Sequence, residues 1–189
     1  MRQVALFTLG AIGLALPASA QVVTLGSDNA RRCYLAAAAE SVSADALTSC
    51  DLALTAPTAT PGTRVATHVN RGILRLHARN VESALADFDA ALALDRQEPE
   101  AWLNKGIALL RAGRAADAVA AFDAAIARNT RRPALAHFGR AYAHEDRGAL
   151  GAAYRDLKTA AALSPKWDAP RRELKRFRPR SASGGASAL

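Results

Sequence analysis

The sequence predicts an all-α protein, a short α-solenoid of stacked helix-turn-helix hairpins closed by a C-terminal capping helix. Three observations carry this reading. First, one pattern is written twice at a spacing of 34 residues: Asn70-Arg71-Gly72 returns as Asn104-Lys105-Gly106, and Ala84, Phe88 and Ala91 return as Ala118, Phe122 and Ala125. A fixed period of this size marks a repeat array, in which each unit buries its apolar face only against its neighbours. Second, apolar residues fall at helical intervals in both halves of the unit, Val65, Val69, Ile73 and Leu76 in one and Ala84, Leu85, Phe88, Ala91 and Leu92 in the other. Third, the chain is 50% hydrophobic but only 5% aromatic. Alanine is frequent, and the runs of Val, Ile, Thr and Tyr expected of strands are missing.

The elements follow in order. Residues 1–20 read as a signal peptide: Arg2 is a short basic start, Val4 to Leu16 is apolar, and Ala18-Ser19-Ala20 is a small-x-small cleavage site. Cleavage is expected before Gln21, which implies an exported, periplasmic protein. The apolar run is short of the roughly 20 residues of a membrane span, and an uncleaved anchor is the alternative. Residues 21–29 form a loose leader. A degenerate first hairpin spans 30–56, with helices expected over 30–40 and 44–54. The Thr- and Pro-rich stretch 57–62 is a linker, and Thr63 is expected to cap the next helix. Three repeats then occupy 63–98, 99–132 and 133–165. In the last, Gly139 and Tyr142 are aligned with the first-helix pattern, which puts two extra residues into the turn that follows. A basic capping helix spans 166–180, with Asp168 as N-cap and Pro170 in its first turn. Residues 181–189 are a disordered tail.

Gly72 and Gly106 sit in mid-helix, where glycine costs about 1 kcal/mol relative to alanine. A closely approaching neighbour offsets that cost, and Ala84 and Ala118 are the expected neighbours. Trp102, Gly106, Leu109, Ala118, Phe122 and Ala125 resemble the tetratricopeptide repeat. In the preceding copy Gly72, Ala84, Phe88 and Ala91 fit, while His68 and Arg75 stand where an aromatic and an apolar residue are expected. Arg96 and Thr130 replace the closing proline that Pro165 supplies in the last copy. The resemblance implies a right-handed solenoid whose first helices line a concave groove for a protein or peptide partner. It places Val69, Asn70, Ile73, His77, Leu103, Asn104, Ile107, Arg111, His137 and Arg140 in that groove, with Ala136 and His144 in the same row. Asn70 and Asn104 would offer amide groups to a partner's backbone. The plain alternative is that the aliphatics pack on neighbouring helices and the asparagines have no partner role. Val69 and Leu103 stand where the family's carboxylate clamp carries lysine, so an acidic peptide terminus is not the expected ligand.

An exported address gives the two cysteines an oxidising compartment. Cys50 takes the place of Phe88 and Phe122, and Cys33, counted back across the turn, faces it. A Cys33–Cys50 disulfide is expected, with two buried free thiols as the alternative. No metal or other cofactor is expected, and no catalytic constellation is visible. His68, His77, His137 and His144 are scattered, without a metal-ligand spacing or a carboxylate at a suggestive interval. The net charge of +8 is concentrated late in the chain, where residues 166–180 hold seven basic residues against two acidic ones. Arg171, Arg172, Lys175, Arg176 and Arg178 form a basic surface that could touch anionic lipid or an envelope polymer. Nucleic acid is disfavoured by the exported address. Two readings follow: a non-catalytic interaction scaffold in the bacterial envelope, or an envelope-associated protein whose basic C-terminal helix binds and whose repeats are a spacer.

Overall fold

The computed structural model describes residues 27–177; the predicted signal peptide, most of the leader, residues 178–180 of the expected capping helix with Arg178, and the tail lie outside them. Among the described residues there are nine α-helices and no strand. They are α1 (Asp28–Ala38), α2 (Ala44–Thr55), α3 (Pro61–His77), α4 (Val81–Leu94), α5 (Pro99–Arg111), α6 (Ala115–Ala127), α7 (Pro133–Asp146), α8 (Leu150–Leu163) and α9 (Asp168–Leu174). A 3-10 turn over Lys175–Phe177 follows α9. Consecutive helices pack as antiparallel hairpins, and each hairpin packs on the next to make the right-handed solenoid. Among the described residues no helix is long and apolar enough to cross a membrane.

Small polar residues set the helix starts. Ser27, Ser43, Thr60 and Asn80 each accept a hydrogen bond from the backbone N–H three residues ahead, which satisfies one of the four donors a helix leaves unpaired. Two of the expected boundaries move for this reason, and a third moves without a side-chain cap. Asp28 and Asn29 belong to α1 because Ser27 caps it. Thr60, not Thr63, caps α3, so Pro61 and Gly62 are its first turn and the linker is shorter than expected. Asp168 is the first helical residue of α9, and Trp167 holds the cap position without a side-chain bond.

Gly72 and Gly106 are buried at close approaches, and the atoms nearest to where a Cβ would stand belong to Phe88 and Phe122 rather than to Ala84 and Ala118. A Cβ on Gly72 would lie 2.5 Å from the Phe88 ring, and one on Gly106 would lie 2.8 Å from the Phe122 ring. Each glycine therefore seats the phenylalanine of its own hairpin, and both rings are fully buried at the centre of the main core cluster. Ala84 and Ala118 are buried in the same cluster.

The last hairpin corrects the sequence alignment. Its turn, residues 147–149, is three residues long, like 78–80 and 112–114. The residue five places before the end of α7, where α3 has Gly72 and α5 has Gly106, is Ala141. No extra length exists; Gly139 lies two residues upstream and abuts Phe122 of the preceding hairpin instead. Ala141 faces Leu157, smaller than phenylalanine, and both are buried in one cluster with Ala153. The first hairpin completes the series, because Cys33 holds the same place in α1 and is bonded to Cys50, with Cα atoms 4.9 Å apart. Four hairpins thus fill one gap in three ways: glycine with phenylalanine twice, alanine with leucine, and a disulfide. The far end is closed by α9. Trp167 packs on Phe138 at 4.6 Å between ring centroids, and Leu174 and Phe177 lie on the Ala141, Ala153 and Leu157 cluster.

Candidate partner-binding groove

The odd-numbered helices stand side by side and form a continuous groove. Its lining runs from Tyr34 and Ala37 on α1 and Glu40 in the turn after it, through Val69, Asn70, Ile73 and His77 on α3 and Asn104, Ile107 and Arg111 on α5, to Arg131, Arg132 and Leu135 at the start of α7. The period of the helices explains the selection. Asn70, Ile73 and His77 are three and four residues apart, as are Asn104, Ile107 and Arg111, so each trio shares one helix face. Ile73 and Ile107 are half-buried and form the apolar floor; Tyr34 at one end is 56% exposed.

Seven of the ten predicted groove residues line this surface, and three do not. Leu103 is fully buried in the core between hairpins. His137 and Arg140 point away from the groove, as does His144, because Asp156 on α8 holds them. Their displacement follows from the alignment error above: once Ala141 is matched to Gly72, His137 and Arg140 correspond to His68 and Arg71, not to Asn70 and Ile73. Asn104 lines the groove, yet it is buried and its Nδ2 donates to the Glu100 carbonyl of its own helix at 2.8 Å. That bond removes one of the donors assigned to a partner. Asn70 is half-buried.

Electrostatics give the groove a basic bias. Glu100 is committed to the protein itself, its Oε1 accepting from Thr130 Oγ1 and the Arg131 N–H at 2.8 Å each. Arg111 donates to the Leu76 carbonyl at 2.7 Å and keeps the rest of its guanidinium at the surface. His77 lies 3.9 Å from Glu40, at the edge of ion-pair range. Arg131 and Arg132 close the opposite end.

The polar residues of the opposite side do different work. Asp87, 2% exposed, is held by three first-helix residues of its own hairpin. His68 Nδ1 lies 3.0 Å from its Oδ1, Arg71 donates at 2.6 Å, and Arg75 donates at 2.8 Å. Asp156 repeats the arrangement with His137 Nδ1 at 2.8 Å and Arg140 at 2.7 Å, while His144 Nε2 stands 3.8 Å away and leaves its Nδ1 buried without a partner. Burial pushes the Asp156 carboxyl up, but hydrogen bonds from Arg140 and His137 and the Arg140 charge outweigh it and hold it at about 2. Asp87 is lowered in the same way, against burial, by His68 and Arg71. The expectation that no carboxylate stands at a suggestive interval from these histidines is not met. The interval exists: 19 residues separate histidine from aspartate in both hairpins. In the hairpin between them Trp102, Leu109 and Ala121 take the same places, and Trp102 is covered by Lys105 and Arg128 at 5.4 and 5.5 Å from its ring centroid.

At the C-terminal end Arg171 is bonded to Asp168 and the Pro165 carbonyl. Arg176 is bonded to Glu173 at 2.5 Å and Glu145 at 2.7 Å. Arg172 and Lys175 are exposed.

Comparisons with known proteins agree with this geometry. No curated protein matches the chain in sequence. In structure it is similar to a solved chain described as the MamA RS-1 ArsTM double mutant, with a TM-score of 0.65 and 19% identity over 80% of this chain and 84% of that one. It is also similar to PilW, described as a widely conserved type IV pilus biogenesis factor, with a TM-score of 0.63 and 22% identity over 79% of this chain and 64% of that one. At these identities the likeness establishes the fold. The tetratricopeptide repeat pattern matches residues 69–130 and again 105–166. Such repeats are generally non-catalytic scaffolds for protein–protein interaction, and no catalytic family is indicated. With more than half of its length matched, paired helices throughout and the glycine-to-aromatic packing in both central hairpins, the chain belongs to the tetratricopeptide repeat family.

Proposed function

We propose that the chain is an exported scaffold of the bacterial cell envelope that holds a protein or peptide partner in the groove of α1, α3, α5 and α7. The observation that carries this reading is the continuity of that groove across four hairpins, with an aliphatic floor at Ile73, Ile107 and Leu135 and a basic rim at His77, Arg111, Arg131 and Arg132. A partner with apolar side chains for the floor and a carboxylate near the rim fits it. Export is supported by the basic start, apolar run and small-residue cleavage site of residues 1–20. The Cys33–Cys50 bond adds to it, since disulfides persist in oxidising compartments. Cell fractionation with N-terminal sequencing tests this part: a periplasmic chain beginning at Gln21 is expected, and a retained Met1 overturns it.

Photo-crosslinking from Ile107 in intact cells tests the groove, with Lys175 as the second position. A partner that crosslinks at Ile107 and loses about tenfold or more in affinity on Ile73→Asp or Ile107→Asp is expected, a hot-spot effect. Crosslinking at Lys175 alone, with binding abolished by Arg172→Glu and Lys175→Glu and unaffected by the groove substitutions, favours the basic helix instead. That rival is weakened by the commitment of Arg171 and Arg176 to nearby acids, which leaves Arg172 and Lys175 to carry it among the described residues.

A further inference from the structure

The three junctions between hairpins follow one rule. Asp51, Asp89 and Asp123 each come directly after the residue that fills the central gap of its hairpin, Cys50, Phe88 or Phe122. Each reaches across to a cation on the first helix of the next hairpin: Asp51 to Arg71 at 2.5 Å, Asp89 to Lys105 at 2.6 Å and Asp123 to Arg140 at 2.5 Å. Three residues further along the receiving helix, Leu74, Ala108 and Ala143 are fully buried. Leu74 is in the cluster of Cys33 and Cys50, inside the preceding hairpin's packing.

Helix α1 carries the same two residues. Counted from Cys33, which holds the place of Gly72, Gly106 and Ala141, its cation is Arg32 and its apolar residue is Leu35. No described hairpin precedes α1. Arg32 is exposed and has no acidic partner among the described residues, and Leu35 is 51% exposed. Arg32 lines a shallow cleft between α1 and α2 with Asn29, Ala36, Ala46, Ser49 and Leu52, and Asp45 at the start of α2 lines it too without pairing with Arg32. The end of a repeat stack ordinarily carries a polar outer face. This end keeps the chemistry of an internal junction.

A second copy of the chain is a poor occupant. At the far end the junction acid is replaced by Lys158, and α9 covers the last hairpin, so head-to-tail addition would bring a lysine onto Arg32. Head-to-head addition would oppose Arg31 and Arg32 to their own copies, and like charges juxtaposed across an interface disfavour the pairing. We propose that the outer face of α1 docks a helix of another protein, one that presents a carboxylate to Arg32 and a shallow apolar surface to Leu35, as α2, α4 and α6 present Asp51, Asp89 and Asp123 to their neighbours. This surface lies on the end of the stack and is independent of the groove.

The probe is a side-chain-stapled helical peptide with the sequence of α6, which contains Phe122 and Asp123, and binding to the full disulfide-bonded chain is followed by fluorescence anisotropy. Saturable binding is expected, weakened about tenfold or more by Arg32→Glu and regained when that variant meets a peptide carrying Asp123→Arg, as for a close interfacial charge pair. Arg32 is exposed, and circular dichroism should show the variant folded. Absence of saturable binding overturns the proposal, and residues ahead of Ser27 covering the face would appear in this way. Binding indifferent to Arg32→Glu overturns it too, as does binding lost on Ile107→Asp alone, which places the peptide in the groove. Sedimentation equilibrium of the chain by itself should report a monomer; a dimer dispersed by Leu35→Asp makes a second copy the occupant and rejects the partner helix.

Discussion

A carboxylate shut between two helices is stable only when its charge is matched, and Asp87 meets two guanidiniums, those of Arg71 and Arg75, and a hydrogen bond with His68. Removing the acid while leaving its partners, as in Asp87→Asn, should cost about 3 kcal/mol, the low end of the penalty for breaking a buried pair, because Arg75 loses its acid while Arg71 keeps Asp51. Replacing the whole set by that of the middle hairpin, with His68→Trp, Arg71→Lys, Arg75→Leu and Asp87→Ala, should leave stability within about 1–2 kcal/mol of the parent, because a packed apolar contact substitutes for a buried ion cluster at little net cost. Urea titrations of both variants decide the matter, and equal destabilisation would deny the network its role. Asp156 makes the pH dependence explicit. Its carboxyl is held at about 2 in the folded chain, below the ordinary aspartate value of about 4. The unfolded chain therefore binds the proton first, and the contribution is complete above about pH 4 and lost as pH falls toward about 2. Urea midpoints measured across that window should fall less steeply in Asp156→Asn than in the parent. These pairings were within reach of the sequence, since the 16- and 19-residue intervals recur. Aligning the last hairpin on Gly139 obscures them, because it shifts the first helix by two residues against the second.

At the scale of the element, the turns are the most regular feature of the chain. Helices α1, α3, α5 and α7 all end with a residue in the left-handed region two places beyond the last helical one: Glu40, Arg79, Gly113 and Gly148, with φ of 53°, 61°, 70° and 73°. Glycine takes this conformation without a Cβ clash, whereas other L-residues are strained by about 1–2 kcal/mol. Arg79 is exposed and makes no recorded side-chain bond among the described residues, so Arg79→Gly should relieve the strain at no cost in contacts. A gain of about 1 kcal/mol, or roughly 2–4 °C in thermal midpoint for a chain of this size, is expected by calorimetry. An unchanged or lowered midpoint would mean that Arg79 stabilises the turn through its side chain. Helix existence and the pairing of helices were legible from apolar spacing alone. Which glycine meets which side chain was not, because small residues on both helices satisfy the same pattern, and only the gap itself distinguishes an alanine wall from a phenylalanine knob.

At the scale of the whole molecule, the two ends of the stack are stabilised by different means. The far end is closed by aromatic packing of Trp167 on Phe138 and by Leu174 and Phe177 over the last hairpin. Among the described residues the near end has no such cover, and its central gap, which holds a fully buried ring in both central hairpins, holds Cys33 and Cys50 instead. A bond that closes a loop of 17 residues restricts the unfolded chain and contributes about 3 kcal/mol. In a solenoid each hairpin touches only its neighbours, so the effect of losing the bond should be graded along the chain rather than global. Reduction, or Cys33→Ala with Cys50→Ala, should therefore expose the amides of α1 and α2 to hydrogen exchange, raise exchange modestly in α3 where Leu74 loses its seat, and leave α5 to α8 near their original protection. Because Arg71 bridges Asp51 of the first hairpin to Asp87 of the second, α3 is the place where the loss should stop. Uniform loss of protection through α8 would show that the stack unfolds as one cooperative unit, and unchanged protection in α1 would show that the first hairpin stands on its apolar contacts without the bridge.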